Sequence, residues 1–550
     1  MKITIGERSA AFSHPVTVLD AIRALCPEEA PQALGCQAGG RACELNAVLR
    51  EDTMMSVITY HQEEGRRIYE RSLRFVFLMA VRRAFPDAKV RIEHSLGGGI
   101  YIVLEGRRLY PGDVLTIKGL MQDIIRLNLP FTRHKWSREE AIEHFRSIGD
   151  EEKARLLAYR PYDYFHVYEC GGLYEYFYGA MLPSTGYTQV FDLAAMTPGL
   201  LLLLPRKDDP SHPSPYVYSP KQMATFAQSN HWCKILECTD AADLNDLNRK
   251  KRLGEFIRVN EALHDKSLSD IADEISLRGA RTVFIAGPSS SGKTTFANRL
   301  CIQLKVNGLR PVLISLDDFY RNRDELPLED DGKPDLEAIT ALDLPRFTRC
   351  VQSLLEGRET RMPRFDFNTQ RQNPAAYTLR IDANQPLVFE GIHGLNPQMH
   401  AGFDPKDIFR IYISELTCLN LDSHNRIRTT DVRLLRRIVR DYRFRGTGVA
   451  ETLAMWDKVR RGEERWIFPY QENADVMFNS ALHYELPVLK RMGEPILHSL
   501  SKDDPNYLKL NRINKILNYL TPADDVALKD IPPLSILREF VGGNTLYGEN

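Results

Sequence analysis

The chain has 550 residues, of which 43% are hydrophobic and 26% are charged, a length and composition that predict a globular protein of two to four domains. Its 72 basic residues nearly balance 73 acidic ones, which excludes a global electrostatic attraction to nucleic acid or a membrane surface but leaves a local basic patch open. No apolar run approaches the ~20 residues that a membrane-spanning helix needs.

Cysteine usage and the N-terminus bear on the cellular compartment. The nine cysteines are scattered and include no C-x-x-C pair, which predicts reduced thiols. The first residues, Met1-Lys-Ile-Thr-Ile-Gly, lack the basic and apolar regions of a signal peptide. We therefore expect a cytoplasmic protein.

The first 240 residues predict two α+β units. Residues 1–62 combine alternating strands with a helix that starts near Thr17, a pattern typical of a β-grasp module. Residues 63–240 begin with an amphipathic helix over 68–85 and continue with a glycine-centred hairpin and turn-rich strands. The arginines of that helix are expected to form a solvated basic face, with RNA contact as the alternative.

Beyond residue 240 the pattern changes to buried strands that alternate with helices. Residues 241–280 predict a helical connector, and residues 281–483 predict a parallel sheet flanked by helices. Residues 484–550 predict a helical extension. Its apolar segment 531–540 is expected to dock onto the preceding domain or a neighbouring subunit.

The motif Gly287-Pro-Ser-Ser-Ser-Gly-Lys-Thr matches the phosphate-loop pattern G-x-x-x-x-G-K-[ST], between an apolar strand and a helix. Backbone N–H groups and the helix dipole of such a loop bind phosphate oxygens. Lys293 is expected to reach the β- and γ-phosphates of ATP, and Thr294 to place its hydroxyl on Mg²⁺. The predicted nucleotide contacts of the loop are Gly287, Ser289, Ser290, Ser291, Gly292, Lys293, Thr294 and Thr295. The loop alone does not separate kinases from other nucleoside triphosphatases.

Two carboxylates follow neighbouring strands of the predicted parallel sheet. Asp317 follows the strand 311–316, where it would point into the ligand crevice and orient an attacking hydroxyl. Glu390 follows the strand 387–389 and fits the role of holding Mg²⁺ or its water shell. The alternatives are a helix-capping or loop aspartate and a structural strand-end glutamate.

Arginines crowd a short helical stretch, at Arg433, Arg436, Arg437, Arg440, Arg443 and Arg445. Adjacent guanidinium groups repel one another unless anions are near, and phosphate suits their geometry. The functional interpretation is a lid that closes on the triphosphate. The alternative is a solvated basic face paired with Asp431 and Asp441.

These motifs, in their order along the chain, resemble the uridine kinase branch of the uridine kinase/phosphoribulokinase family. They are the phosphate loop, Asp317–Tyr320, Pro363-Arg-Phe-Asp-Phe, Phe389-Glu-Gly and Arg436-Arg-Ile-Val-Arg-Asp. The resemblance covers about residues 280–480.

The resemblance implies a role for each matching residue. Asp317 would be the general base for a ribose 5′-hydroxyl, with Lys293, Glu390 and Arg440 also catalytic. Arg437 and Arg445 would contact the ATP phosphates. Tyr320, Phe365, Asp366 and Gln370 would line the nucleoside site, with Phe365 against the base.

The chain departs from the family pattern at three places. Gln370 stands where the family often has a histidine that reads the pyrimidine edge, so the identity of the base is open. The acidic residue near the ribose hydroxyls is Asp330, Asp331 or Asp335. A further lid arginine is replaced near Thr447.

The front half resembles other proteins. Residues 1–60 look like a TGS domain, and residues 65–240 are similar to the second additional, editing-type domain of threonyl-tRNA synthetases, on the stretch 64–72 and Cys170-Gly-Gly. The family's zinc-binding histidines are replaced by Arg71, Phe75 and Tyr174, and Cys170 alone cannot hold a tetrahedral zinc. We therefore predict an editing-like domain without zinc or editing activity.

Together the motifs predict an ATP- and Mg²⁺-dependent kinase that phosphorylates the 5′-hydroxyl of a nucleoside, with uridine or cytidine favoured. A sugar-phosphate or vitamin kinase is one alternative, and a nucleotide-gated RNA- or ribosome-binding regulator is another. Among partners we expect a small nucleoside substrate and no membrane, and the family resemblance implies a homo-oligomer. RNA contact by residues 1–240 stays open.

Overall fold

A computed structural model describes residues 1–328, 332, 334–366 and 369–547. Over these residues, every helix is too short or too polar to cross a bilayer. The sheets confirm the expected multidomain architecture. The front half contains mixed and antiparallel sheets, and the part of the chain that follows contains one parallel sheet.

The first unit is a mixed five-stranded sheet with one helix on its apolar face. Its elements are β1 (Lys2–Ile5), β2 (Arg8–Ala11), β3 (Val16–Thr17), α1 (Val18–Leu25), β4 (Ala33–Ala38), β5 (Arg41–Cys43), β6 (Val48–Leu49) and β7 (Thr53–Thr59). The strand order is β2-β1-β7-β4-β5, and β1 pairs with β7 in parallel. Thr17 caps α1 by accepting a hydrogen bond from the N–H of Asp20, so the helix begins where its sequence pattern predicts.

The second unit contains two antiparallel sheets, β13-β14-β9-β8 and β10-β11-β12. Its elements are α2 (Glu63–Ala84), β8 (Val90–Leu96), β9 (Gly99–Leu104), α3 (Pro111–Leu127), β10 (Thr132–Ser137), α4 (Arg138–Ser147), α5 (Glu151–Tyr159), β11 (Tyr164–Cys170), β12 (Leu173–Glu175), β13 (Asp192–Met196), β14 (Gly199–Leu203) and α6 (Pro220–Ile235). Helices α2 and α3 pack on the larger sheet, and α4 and α5 pack beside the smaller one.

The third unit is built on a five-stranded parallel sheet in the order β16-β19-β15-β20-β21. Its elements, with the connector, are α7 (Ala241–Arg249), α8 (Leu253–Arg278), β15 (Thr282–Ala286), α9 (Lys293–Val306), β16 (Val312–Ser315), α10 (Leu344–Leu355), β17 (Thr360–Asp366), β18 (Arg371–Leu379), β19 (Leu387–Glu390), α11 (Pro397–His400), β20 (Ile408–Ser414), α12 (Thr429–Phe444), α13 (Val449–Trp466) and β21 (Val476–Asn479). The extension adds α14 (Glu485–Leu497), α15 (Tyr507–Leu517), α16 (Asp525–Lys529) and α17 (Arg538–Val541).

The parallel sheet brings the predicted site residues to one edge. Its central strands are nearly continuous apolar runs because helices cover both faces; all five residues of β15 are buried. Parallel strands end at the same edge, so the loop after β15, Asp317 beyond β16 and Glu390 at the end of β19 meet in one crevice.

The front half packs closely against the segment that precedes α12. The N–H of Ile92 donates to the carbonyl of Ser423 at 2.8 Å, and Asn420 Nδ2 donates to the carbonyl of Ile92 at 2.9 Å. One hydrophobic core runs from Phe145 in the second unit to Phe540 in the extension. The second unit, the third unit and the extension therefore share one hydrophobic core.

Helix α2 is buried along most of its length, so the expectation of a solvated basic face is wrong for its buried arginines; Arg82 and Arg83, in its last turn, are exposed. Arg67, Arg71 and Arg74 are between 4% and 7% exposed. Arg67 donates to both carboxylate oxygens of Asp431 on α12, at 3.0 and 2.8 Å. The pairing carboxylates come from distant parts of the chain, which a local helical pattern does not reveal.

We predict that Asp431→Ala destabilises the protein by about 3–5 kcal/mol, because Arg67 and Arg512, which also donates to Asp431 at 3.0 Å, lose their buried partner. The measurement is the urea midpoint of unfolding followed by tryptophan fluorescence. Asp457→Ala is the matched control, since its pair with Lys509 leaves the Asp457 side chain 60% exposed and should cost less than about 1 kcal/mol. Equal midpoints for the two variants would contradict the prediction.

Candidate active site

The loop after β15 adopts the conformation of a phosphate loop. Gly292 has φ +86° and precedes the first residue of α9, so the loop turns directly into the helix N-terminus. The hydroxyls of Ser290 and Ser291 are buried and have no hydrogen-bond partner among the described residues. Buried, unpartnered hydroxyls beside free helix N–H groups suit the oxygens of a phosphate.

Lys293 lies across this loop. Its ammonium donates to the carbonyls of Gly287 and Pro288, at 3.0 and 3.1 Å. Burial lowers the pKa of Lys293, whereas the carboxylates of Glu390 and Asp317 act against that shift. The lysine therefore contacts the loop and lies near the two predicted carboxylates.

Asp317 and Glu390 both lie close enough to Lys293 to interact with its charge. Burial, and then Asp317, raises the pKa of Glu390 to about 7, and Lys293 opposes the rise. Burial likewise raises the pKa of Asp317. Ser315 Oγ links the two by donating to Glu390 Oε1 at 3.4 Å and accepting from the N–H of Asp317 at 3.3 Å. The crevice thus holds oxygen ligands of the kind that Mg²⁺ prefers.

Thr294 and Thr295 face different surroundings. Thr294 is exposed at the start of α9. Thr295 is fully buried, and its hydroxyl donates to Glu539 Oε2 at 2.8 Å and lies 2.8 Å from the hydroxyl of Tyr547. Thr294 is thus accessible to a metal ion, whereas the extension already contacts Thr295.

The arginines of α12 divide into two groups. Arg433 and Arg436 are buried in ion pairs with Glu463 and Glu485, and they donate to the carbonyls of Ser289 and Ser290. They support the loop from behind, so the solvated-face alternative is wrong for them.

Arg437, Arg440 and Arg445 surround Asp441. Arg437 Nη1 donates to Ser289 Oγ at 3.0 Å, and its Nε lies 3.1 Å from Asp441. Arg440 is buried beside Asp441 and lies 3.6 Å from Glu539, and Arg445 is 58% exposed. Of the three predicted phosphate or catalytic arginines, Arg437 alone contacts the loop within the described part of the chain.

Tyr320 and Phe365, two of the predicted acceptor residues, pack together at the β17–β18 hairpin. Tyr320 and Phe365 are both 6% exposed, with ring centroids 5.6 Å apart. The hydroxyl of Tyr320 donates to the carbonyl of Leu336 at 3.0 Å, and Asp318 accepts a hydrogen bond from the N–H of Phe365. Phe365 therefore packs in a hydrophobic cluster at the edge of the crevice.

The other predicted acceptor residues are less enclosed. Asp366 is exposed and accepts from the N–H of Thr369, and Gln370 has φ +53° at the hairpin turn. Asp335 accepts from the N–H of Glu337 at 3.0 Å, whereas Asp330 and Asp331 lie outside the described residues.

Three acidic residues near the loop belong to no sequence motif, so the sequence did not indicate them as site residues. Glu463 Oε1 accepts the N–H of Ser289 at 3.0 Å. Glu337 is half-buried near Lys293 and Arg437, and burial raises its pKa to about 7. Glu539 belongs to the extension, which also places Ile536 against Gly292. The apolar segment 531–540 indicated docking, but nothing in the sequence indicated the phosphate loop as its target.

The editing-type positions of the front half are occupied by core side chains. Phe75 packs against Phe131 and Phe177, and Arg71 pairs with Glu64. Cys170 is fully buried, and burial raises the pKa of its thiol to about 12. The absence of zinc and of editing stays a prediction.

The parallel sheet, phosphate loop and strand-end carboxylates are those of a P-loop phosphotransferase. In agreement, residues 282–486 match the model of the Phosphoribulokinase / Uridine kinase family. The match covers the crevice and α12 and supports a kinase, but not a particular acceptor.

The other comparisons concern parts of the chain. It is 33% identical over 184 residues to a threonine–tRNA ligase of Burkholderia lata and 32% identical over 189 residues to that of Desulforamulus reducens, which amounts to 33% and 34% of this chain. The chain spans only 29% and 30% of the length of these relatives.

Some of the solved structures that resemble part of the chain are named as kinases. A putative fructose transport system kinase from Silicibacter has 18% identity and a TM-score of 0.29, and covers 38% of this chain and 98% of its own. A possible uridine kinase from Bacillus stearothermophilus has 18% identity and a TM-score of 0.27, over 39% and 98%. These TM-scores are too low to support an inference about this chain.

We predict that Glu390→Gln stabilises the free protein increasingly as pH rises. The folded protein binds the Glu390 proton more tightly than the unfolded chain does, because its pKa rises from 4.5 to about 7. The stability that the protonated group contributes is complete below pH 4.5 and is lost as pH rises through 7, whereas Gln stays neutral. At pH 8 the variant should be more stable by about 1–3 kcal/mol.

The measurement is chemical unfolding of both proteins with EDTA at pH 5 and pH 8. Exposed Glu451 on α13 provides the control, Glu451→Gln, which should show no widening difference. If the difference in stability between Glu390→Gln and the parent stays constant with pH, burial does not raise the pKa of Glu390.

Proposed function

We propose that the chain transfers the γ-phosphoryl group of ATP to the 5′-hydroxyl of a nucleoside, with uridine or cytidine as the favoured acceptor. The observation that carries the proposal is the position of Lys293, between the phosphate loop and the carboxylates at the ends of β16 and β19. A cation there counters charge on the transferred group, and a carboxylate beside it can receive the proton of an attacking hydroxyl.

The roles follow from these positions. Asp317 takes the proton of the acceptor hydroxyl while the new O–P bond forms, and the bond from the γ-phosphorus to the bridging oxygen breaks, so that ADP leaves with the electron pair. Lys293 and Arg437 stabilise the charge that develops on the phosphoryl oxygens. The raised pKa of Asp317 makes it a better proton acceptor than an exposed aspartate.

A metal ion fits the oxygen donors of the crevice. Thr294 offers an exposed hydroxyl, and Glu390 a strand-end carboxylate next to Ser315. When bound, Mg²⁺ would neutralise charge on the β- and γ-phosphate oxygens. The raised pKa of Glu390 implies that metal binding strengthens with pH near neutrality, because the carboxylate must first ionise.

The acceptor assignment is supported by the aromatic pair Tyr320–Phe365 beside the crevice, since aromatic rings suit stacking on a base better than contact with a sugar. A sugar-phosphate or vitamin kinase would use the same phosphate loop and base. A nucleotide-gated RNA-binding regulator would instead hydrolyse ATP without an acceptor and bind tRNA through residues 1–240 in a salt-dependent way.

The acceptor is tested by incubating the full chain with Mg-ATP and a panel of nucleosides, sugars, sugar phosphates and vitamins, with mass spectrometry of the products. We expect a nucleoside 5′-monophosphate. Asp317→Asn should reduce kcat by about 10²–10⁴-fold with little change in ATP binding, because it removes the proton acceptor alone. Asp318→Asn is the adjacent control, since Asp318 faces the N–H of Phe365 instead. Phosphorylation of no compound in the panel would sink the proposal.

We predict that Phe365→Leu raises the KM for the nucleoside by about tenfold, because leucine preserves the packing against Tyr320 but loses stacking on the base. The KM for ATP should not change. Steady-state kinetics with a base-bearing acceptor and with any accepted sugar make the comparison. An equal rise in KM for both acceptors would show that Phe365 contributes packing and not base recognition.

A further inference from the structure

A cationic cavity lies where five parts of the chain meet, away from the phosphate loop. Its walls come from β5, from α2, from the turn at Gly179, from the segment before α12, and from α15. The cationic side chains that line it are Arg67, Arg71, Arg74, Arg426, Arg428, Arg512 and Lys515. The cavity holds about 40 Å³, enough for a few water molecules or one small oxyanion.

Carboxylates compensate only part of this charge. Among the described residues, the carboxylates paired with these seven cations are Glu63, Glu64, Glu70 and Asp431. Glu70 is shared by Arg74, Arg426 and Arg428, and Asp431 by Arg67 and Arg512. Three positive charges are therefore left in a largely buried place, which is costly unless an anion joins them.

Two of the cations have N–H donors that no described residue accepts. Arg74 is 4% exposed and its Nε has no hydrogen-bond partner among the described residues, since Glu70 Oε1 lies 3.8 Å away. Lys515 is half-buried, and the described residues place no carboxylate within ion-pair distance of it. Burial, and then Arg71, lowers the pKa of Lys515, and burial lowers that of Arg428 to about 9. These shifts agree with an excess of positive charge.

We infer that this cavity is a binding site for a phosphate group, separate from the phosphate loop. Guanidinium groups that converge from α2, the segment before α12 and α15 match the several acceptor oxygens of a tetrahedral oxyanion better than a single planar carboxylate. A larger cleft of about 510 Å³ shares Glu70, Arg426 and Arg428 with the cavity, so the phosphate is either free or carried by a small molecule in that cleft.

Binding of radiolabelled inorganic phosphate by equilibrium dialysis tests the inference, with the full chain at constant ionic strength in chloride. Lys293→Ala weakens phosphate binding at the phosphate loop, so that the remaining binding reports on the second site. In that background, Lys515→Met should weaken binding by about tenfold, the loss of one charge-assisted contact, and Lys515→Arg should restore it. Because the described residues offer Lys515 no ion-pair partner, its replacement should break no ion pair among them.

Lys509→Met is the matched control, because Lys509 lies on the same helix but faces Asp457. It should bind phosphate as the parent does. A nucleoside monophosphate that competes for the Lys515-dependent site would identify the small-molecule source, and its failure to compete would favour free phosphate. Loss of all phosphate binding in Lys293→Ala, or unchanged binding in Lys515→Met, would overturn the inference.

Discussion

Arg433 and Glu463 form an ion pair that holds the phosphate loop from behind. Both side chains are at most 1% exposed, and between them they bond the carbonyl and the N–H of Ser289. A buried pair of this kind stabilises little on net, but removing either partner is costly because the other charge remains in the core. The loop conformation therefore depends on the packing of α12, which carries Arg433, against α13, which carries Glu463. The position of Lys293 depends on it in turn.

The front half contacts α12 at its N-terminal end. Arg67 of α2 bonds Asp431 in the first turn of α12, a carboxylate that Arg512 of the extension also bonds, and Glu70 of α2 bonds Arg426 just before the helix. Helix α12 is thus joined to the synthetase-like unit at its N-terminal end and to the phosphate loop along its length. A ligand in the cationic cavity would bind beside that first turn, which offers a physical route by which the front half could influence phosphate binding.

The extension completes the site from a third direction. Phe540 lies under the guanidinium groups of Arg436 and Arg440, and Glu539 reaches Thr295 on α9. The carboxylate of Glu539 also adds to the acidic surroundings of Lys293 and Glu390. The crevice is therefore shaped by residues from well outside the segment that matches the kinase family.

The sequence alone determined the features that depend on local pattern. Spacing and residue type predicted the phosphate loop, the strand-end carboxylates Asp317 and Glu390, and the parallel sheet, because each arises within one strand and its following turn. Which arginines of α12 pair with distant glutamates behind the loop and which surround Asp441 was decided only by the tertiary structure. Arg433 and Arg437 share one helix face, yet the first pairs with Glu463 and the second with Asp441. Likewise, the basic pattern of α2 is the same for a solvated and a buried helix. The difference comes from Asp431, 364 residues away in the chain, and no local signal carries a contact over that distance.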